Sequence, residues 1–106
     1  MISFNDFKEI ELGVGTIKDV QDHPDADKLY VLKVSLAGEE RQLVAGIKPY
    51  YGKDALIDKQ VVVVLNIEPA VIRGVESSGM LLAVKDSNGV VILTTEKRVE
   101  DGSKVS

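Results

Sequence analysis

Along most of this chain apolar and polar positions alternate with a period of two, the spacing of strands whose two faces meet different surroundings. The clearest run is Leu29 to Leu36, where Tyr30, Leu32, Val34 and Leu36 share one face and Lys33 and Ser35 take the other. Ala37-Gly38 marks a turn, and Arg41 to Ile47 returns as a third strand, completing a hairpin. Upstream, Leu12, Val14 and Thr16 alternate with Gly13 and Gly15, and Ile17 and Val20 follow before a break at His23-Pro24. Glycines inside a strand predict a bulge or a strong bend, as in a sheet that curls to close on itself. Val61 to Leu65 is β-branched on both faces, which predicts a strand covered on both sides.

The remaining segments break the alternation. Ser3 or Asn5 can cap a short N-terminal helix anchored by Phe4 and Phe7. Pro49 to Asp58 reads as a helix or helical turn that buries Tyr51, Ala55 and Leu56. Asn66 to Ser78, with Pro69 and Gly74, reads as a long connection, and Gly79 to Lys85 as a fifth strand with Met80, Leu82 and Val84 on one face. Asp86-Ser87-Asn88-Gly89 is a turn into a returning strand, Val90 to Leu93. The charged tail turns at Asp101-Gly102-Ser103 before Val105. These elements predict an all-β fold: a five-stranded oligonucleotide/oligosaccharide-binding (OB-fold) Greek-key barrel with a short N-terminal helix, a helix between strands 3 and 4, and a C-terminal extension. An SH3-like barrel or a small sandwich shares the pattern.

Composition narrows the setting. At 106 residues the expectation is one domain, residues 1–106, and 28% charged residues argue against disorder. Without cysteine there is no disulfide framework and no thiolate metal site. The longest apolar run, Val61 to Leu65, falls far short of the ~20 residues that cross a bilayer, and no signal peptide opens the chain, so a cytoplasmic protein is expected. The net charge of −4 counts against nucleic-acid binding unless the 13 basic side chains gather on one face.

No constellation reads as an active site. Asp22, His23, Asp25 and Asp27 hold potential metal ligands, but Pro24 and the aspartates fit a turn, and Lys28-Leu29 breaks a calcium-loop pattern. Gly13-Val14-Gly15 lacks the third glycine and the strand–loop–helix unit of a dinucleotide site. No cofactor or metal is expected. Tyr30, Tyr50 and Tyr51 are candidate base-stacking platforms among only five aromatics, most of which a small core needs. Ser77-Ser78-Gly79-Met80 reads equally as a tight turn into a strand and as hydroxyls and a thioether at a barrel mouth.

Five segments, in order, carry a resemblance. They are Phe7 to Gly15; His23-Pro24-Asp25-Ala26-Asp27-Lys28-Leu29; Arg41 to Ile47; Tyr50-Tyr51 through Leu56; and Asn66-Ile67-Glu68-Pro69 leading to Arg73-Gly74-Val75-Glu76-Ser77-Ser78-Gly79-Met80. Together they resemble the tRNA-binding domain family, which includes the C-terminal domain or β-subunit of methionyl-tRNA synthetases, structure-specific tRNA-binding proteins and the endothelial monocyte-activating polypeptide domain. The resemblance implies an OB-fold barrel that binds tRNA by shape and backbone contacts without catalysis, as a homodimer or beside a separate synthetase chain. Carried onto this sequence, the implied RNA contacts are Lys33, Arg41, Asn66, Arg73, Ser77, Ser78 and Met80. Lys33 and Arg41 would reach phosphates from the open face of the barrel, and Asn66 and the serines would bond sugar, phosphate or a base edge. Two departures stand out: Gly13 occupies a position usually held by Arg, and Glu68-Pro69-Ala70-Val71 lacks the usual basic residues. A CsaA-type peptide-binding chaperone resembles the same barrel and is the rival reading.

Overall fold

The computed structural model describes residues 1–106. Its frame is one long strand, β1 (Leu12–Asp22), shared by every part of the main sheet. The second half of β1 pairs antiparallel with β2 (Tyr30–Leu36), which pairs in turn with β3 (Glu39–Ala45). The first half pairs with β4 (Gln60–Val64), and β4 continues to β7 (Met80–Leu81), giving the order β3-β2-β1-β4-β7. A last short strand, β10 (Lys104–Val105), takes the edge of β1 at Leu12 and Gly13 that β2 leaves free. Two separate hairpins complete the set: β5 (Ala70–Ile72) with β6 (Val75–Ser77), and β8 (Ala83–Asp86) with β9 (Gly89–Ile92).

The alternation in β2 is realised residue by residue: Tyr30, Leu32, Val34 and Leu36 are buried, and the residues between them are half-buried. They meet Ile17, Leu43, Val61 and Val63 in one core that also takes in Leu56 and Ile92. Each such side chain contributes roughly 1.5–3 kcal/mol by leaving water. Gln60 through Val63 are buried in succession, as expected for a strand covered on both faces.

Several expectations need correction. The glycines of β1 do not form the bulge, which lies between Ile17 and Asp19 where the register with β2 shifts. Gly15 is instead a point of close approach, since a Cβ there would lie 2.9 Å from Leu36 Cδ2 and 3.0 Å from the Ser35 carbonyl oxygen. The N-terminal helix α1 (Phe4–Phe7) is capped by Ser3, one of the two candidates, in a capping box with Asp6, but Phe4 is exposed and anchors nothing. The second helix is a single turn, α2 (Lys53–Leu56), in which Leu56 is buried and Ala55 is exposed.

The long connection from Asn66 to Ser78 contains the β5–β6 hairpin. Its two-residue tip, Arg73 at φ 51° and Gly74 at φ 87°, has the positive dihedrals of a tight hairpin turn. The strand expected over Gly79 to Lys85 divides at Leu82 between two sheets, and Met80 and Val84 are exposed. The C-terminal tail is fastened through the buried Gln60. Its side chain donates to the Val99 carbonyl at 2.8 Å and accepts from the Val99 amide at 3.0 Å, while Thr16 donates to Asp101 at 2.6 Å.

Candidate nucleic-acid interface

The outer edge of β3 has no neighbouring strand of its own sheet, so its backbone groups need other partners. The end of β6 supplies them. The Ser78 amide donates to the Gln42 carbonyl at 2.8 Å. Ser77 Oγ accepts the Val44 amide at 3.0 Å and donates to the Gly79 carbonyl at 3.0 Å. Gln42 donates through Nε2 to the Glu76 carbonyl at 2.8 Å and accepts Lys33 Nζ at 2.8 Å. Arg41 bonds the carbonyls of Leu65 and Ser78, the latter at 3.3 Å, and the Glu39 carboxylate at 3.2 Å. This polar seam curls the sheet toward closure.

Four of the seven sequence-predicted residues, Lys33, Arg41, Ser77 and Ser78, therefore meet along one seam. Ser77 is buried and Arg41 is three-quarters covered, so both serve the chain's own backbone. Asn66 lies elsewhere: it accepts the Glu11 amide at 2.8 Å and donates to the Glu9 carbonyl at 2.6 Å, holding the segment between α1 and β1. Met80 is half exposed in an apolar groove with Phe7, Ile10, Leu12, Ile67 and Leu82.

Arg73 projects from the β5–β6 tip and donates to the Asp25 carbonyl at 2.8 Å. That bond joins the two motif segments, and His23 makes a second. The buried imidazole of His23 accepts the Asp25 amide on Nδ1 at 3.0 Å, so its proton sits on Nε2, which lies 2.9 Å from the Ile72 carbonyl. The His23–Leu29 turn is thus the cradle for the hairpin tip. No group of three or more His, Cys, Asp or Glu side chains is arranged to hold a metal ion, and no helix is long and apolar enough to cross a membrane.

Sequence reasoning missed Gln42, the hub of the seam, because a glutamine in a strand carries no local signal. It also missed the pairing of two lysines with one carboxylate. Lys48 and Lys53 approach Asp22 at 3.1 and 3.3 Å, and the Lys48 hydrogen bond, then that of Lys53, holds its carboxyl below the usual value. Of the tyrosines, Tyr30 is buried and donates to the Tyr51 carbonyl at 2.8 Å, while the Tyr51 hydroxyl accepts the Ile92 amide at 3.1 Å. Tyr50 alone is exposed.

Residues 12–104 match the family model described as "Putative tRNA binding domain". A methionine–tRNA ligase from Thermococcus onnurineus is 53% identical over 104 residues, covering 98% of this chain but 14% of that protein. Among solved structures, a MetRS related protein from Pyrococcus horikoshii superposes with a TM-score of 0.93 at 29% identity, covering 100% of this chain and 98% of that one. The CsaA chaperone protein from Picrophilus torridus superposes with a TM-score of 0.92 at 35% identity, and each chain is covered in full. The curled antiparallel sheet is the OB-like all-β fold of these neighbours. On the match across residues 12–104, the chain belongs to the tRNA-binding domain family.

Proposed function

We propose that this chain is a non-catalytic cytoplasmic module that recruits tRNA by shape and backbone contacts, as a homodimer or as the detached β-subunit of a methionyl-type aminoacyl-tRNA synthetase. The observation that carries the reading is the interlock of the two motif segments, which sets Arg73 at a rigid tip against the His23–Leu29 turn. The sequence relatives support the synthetase setting, since the chain spans 14% of their length and corresponds to a portion of a methionine–tRNA ligase. Holding tRNA close to a catalytic chain raises its local concentration without touching the chemistry. The apolar groove around Met80, with Ile67 exposed in its wall, supports a second copy as its cover.

Lys33, Arg73 and the exposed part of Ser78 contact phosphates and sugars. Arg41, Ser77 and Asn66 act by holding the surface that does so. Two cationic contacts per protomer, Lys33 and Arg73, give a salt slope of roughly −1.5. A second reading, a CsaA-type peptide-binding chaperone, is favoured by the match to the Picrophilus chaperone and by the net charge of −4. Binding of bulk tRNA at two salt concentrations, with an unfolded protein as competitor, separates the two. Salt-sensitive binding that survives the competitor supports the tRNA module. Retention of the unfolded chain with no tRNA binding at low salt favours the chaperone. Sedimentation of the same sample at monomer mass would remove the homodimer.

A further inference from the structure

The connection between β3 and α2 holds an arrangement that the seam does not use. Ile47 is buried, and its carbonyl accepts the amides of Tyr50 at 3.0 Å and Tyr51 at 3.1 Å, forming a tight turn that presents Tyr50 outward. Tyr51 is fastened in turn by its hydroxyl to Ile92 in β9. The Tyr50 ring lies against Gly89 at the start of β9, so close that a Cβ there would fall 2.6 Å from Cε1. The ring is held from behind, about half of the residue stays exposed, and its hydroxyl bonds no other residue. A ring already fixed in place loses little rotamer entropy when a partner stacks on it.

Its flanks are basic. Lys48 precedes the tyrosine by two residues and Lys53 follows it by three, and both ammonium groups lean on the single carboxylate of Asp22. The two cations share one anion, so the ion-paired cluster itself carries one uncompensated positive charge. An exposed aromatic flanked by cations is how single-stranded nucleic acid is held: bases stack on the ring and phosphates lie on the charges. Phe4 is more exposed, but the cation over its ring is Lys8 alone, at 5.5 Å.

We infer that Tyr50, Lys48 and Lys53 form a second RNA-contact site, in which Tyr50 stacks on an unpaired base and the two lysines bind the flanking phosphates. This site rests on the tRNA-binding reading and adds to it a preference for unpaired nucleotides. β3 carries Arg41 and Gln42 at the seam and ends at Ala45, a few residues before Tyr50 in sequence.

The test compares wild type, Tyr50→Phe, Tyr50→Ala and the Lys48→Gln/Lys53→Gln double variant. Each is titrated with bulk tRNA, with single-stranded oligouridylate and with a fully paired RNA duplex. The chain has no tryptophan and three tyrosines, so RNA quenching of tyrosine emission that wild type shows and Tyr50→Phe lacks reports stacking on Tyr50. Tyr50→Phe should bind within about twofold of wild type, whereas Tyr50→Ala should lose roughly five- to a hundred-fold on tRNA and oligouridylate but not on duplex. The lysine pair should flatten the salt slope by one to two units. Wild-type tRNA binding that Tyr50→Ala leaves intact, or an equal loss on duplex, overturns the site and leaves the tRNA reading standing. Absence of tRNA binding by wild type at low salt overturns both.

Discussion

The seam along β3 and the connection that follows it are neighbours in sequence, yet their polar side chains are used in opposite ways. In the seam, the side chains of Arg41, Gln42 and Ser77 donate to backbone carbonyls or to a side chain of the same molecule. In the connection, Lys48, Tyr50 and Lys53 stay partly exposed, and the two lysines share the Asp22 carboxylate. Buried polar groups are costly to leave unpaired, whereas exposed ions are screened and exchange partners freely. Residues of the first kind therefore shape a surface, and those of the second kind are available to a ligand.

The largest expected effect comes from breaking the seam. Arg41→Ala leaves the Leu65 and Ser78 carbonyls without their charged donor and removes one of the links between β3 and the end of β6. Hydrogen bonds from charged groups contribute about 1.5–3 kcal/mol each, so thermal denaturation should show a loss of about 2 kcal/mol and a fall in Tm of roughly 10 °C. A variant that melts like wild type but no longer binds tRNA would reverse the assignment and make Arg41 a direct contact.

Arg73→Ala should behave in the opposite manner. Its one bond, to the Asp25 carbonyl, lies at an exposed tip, so stability should change by less than about 0.5 kcal/mol. Binding of tRNA should weaken at low salt, and the salt slope should flatten by about one unit. Unchanged binding isotherms would remove Arg73 from the interface and leave it as a fastener of the His23–Leu29 turn.

Why these two arginines differ was not readable from the sequence, although much of the rest was. The alternation Tyr30-Leu32-Val34-Leu36 placed the core face of β2 because period two and burial are the same fact in a half-buried strand. The capping box at Ser3 and the Asp86–Gly89 turn were equally local, each a few residues that satisfy one another. The long-range bonds left no such trace. Ser77 reaches Val44 and Asn66 reaches Glu11 across gaps of 33 and 55 positions, and those distances appear only once β1 has curled. Met80 misled for a related reason. Its period-two neighbours Leu82 and Val84 suggested a buried face, but the strand divides between two sheets and leaves that face at the surface. The family resemblance named segments without saying which side chains within them face inward.

The smallest effect concerns Asp22, where the comparison can be sharpened by pH. Its carboxyl is held below the ordinary value first by the Lys48 hydrogen bond and then by that of Lys53. A group whose folded pKa is depressed contributes stability above its unfolded value, near 4, and loses it as pH falls through the folded value. Asp22→Asn should therefore be slightly less stable than wild type at neutral pH. The two melting curves should converge as the medium becomes more acidic than about pH 4 and the wild-type carboxyl takes up its proton. The pair is exposed, so added salt should shrink the gap at neutral pH as well. The same substitution frees both ammonium groups, so tRNA binding at low salt should tighten while stability falls. A parallel loss of stability and affinity would mean that Asp22 builds the surface rather than competing for its charges, which would align the connection with the seam.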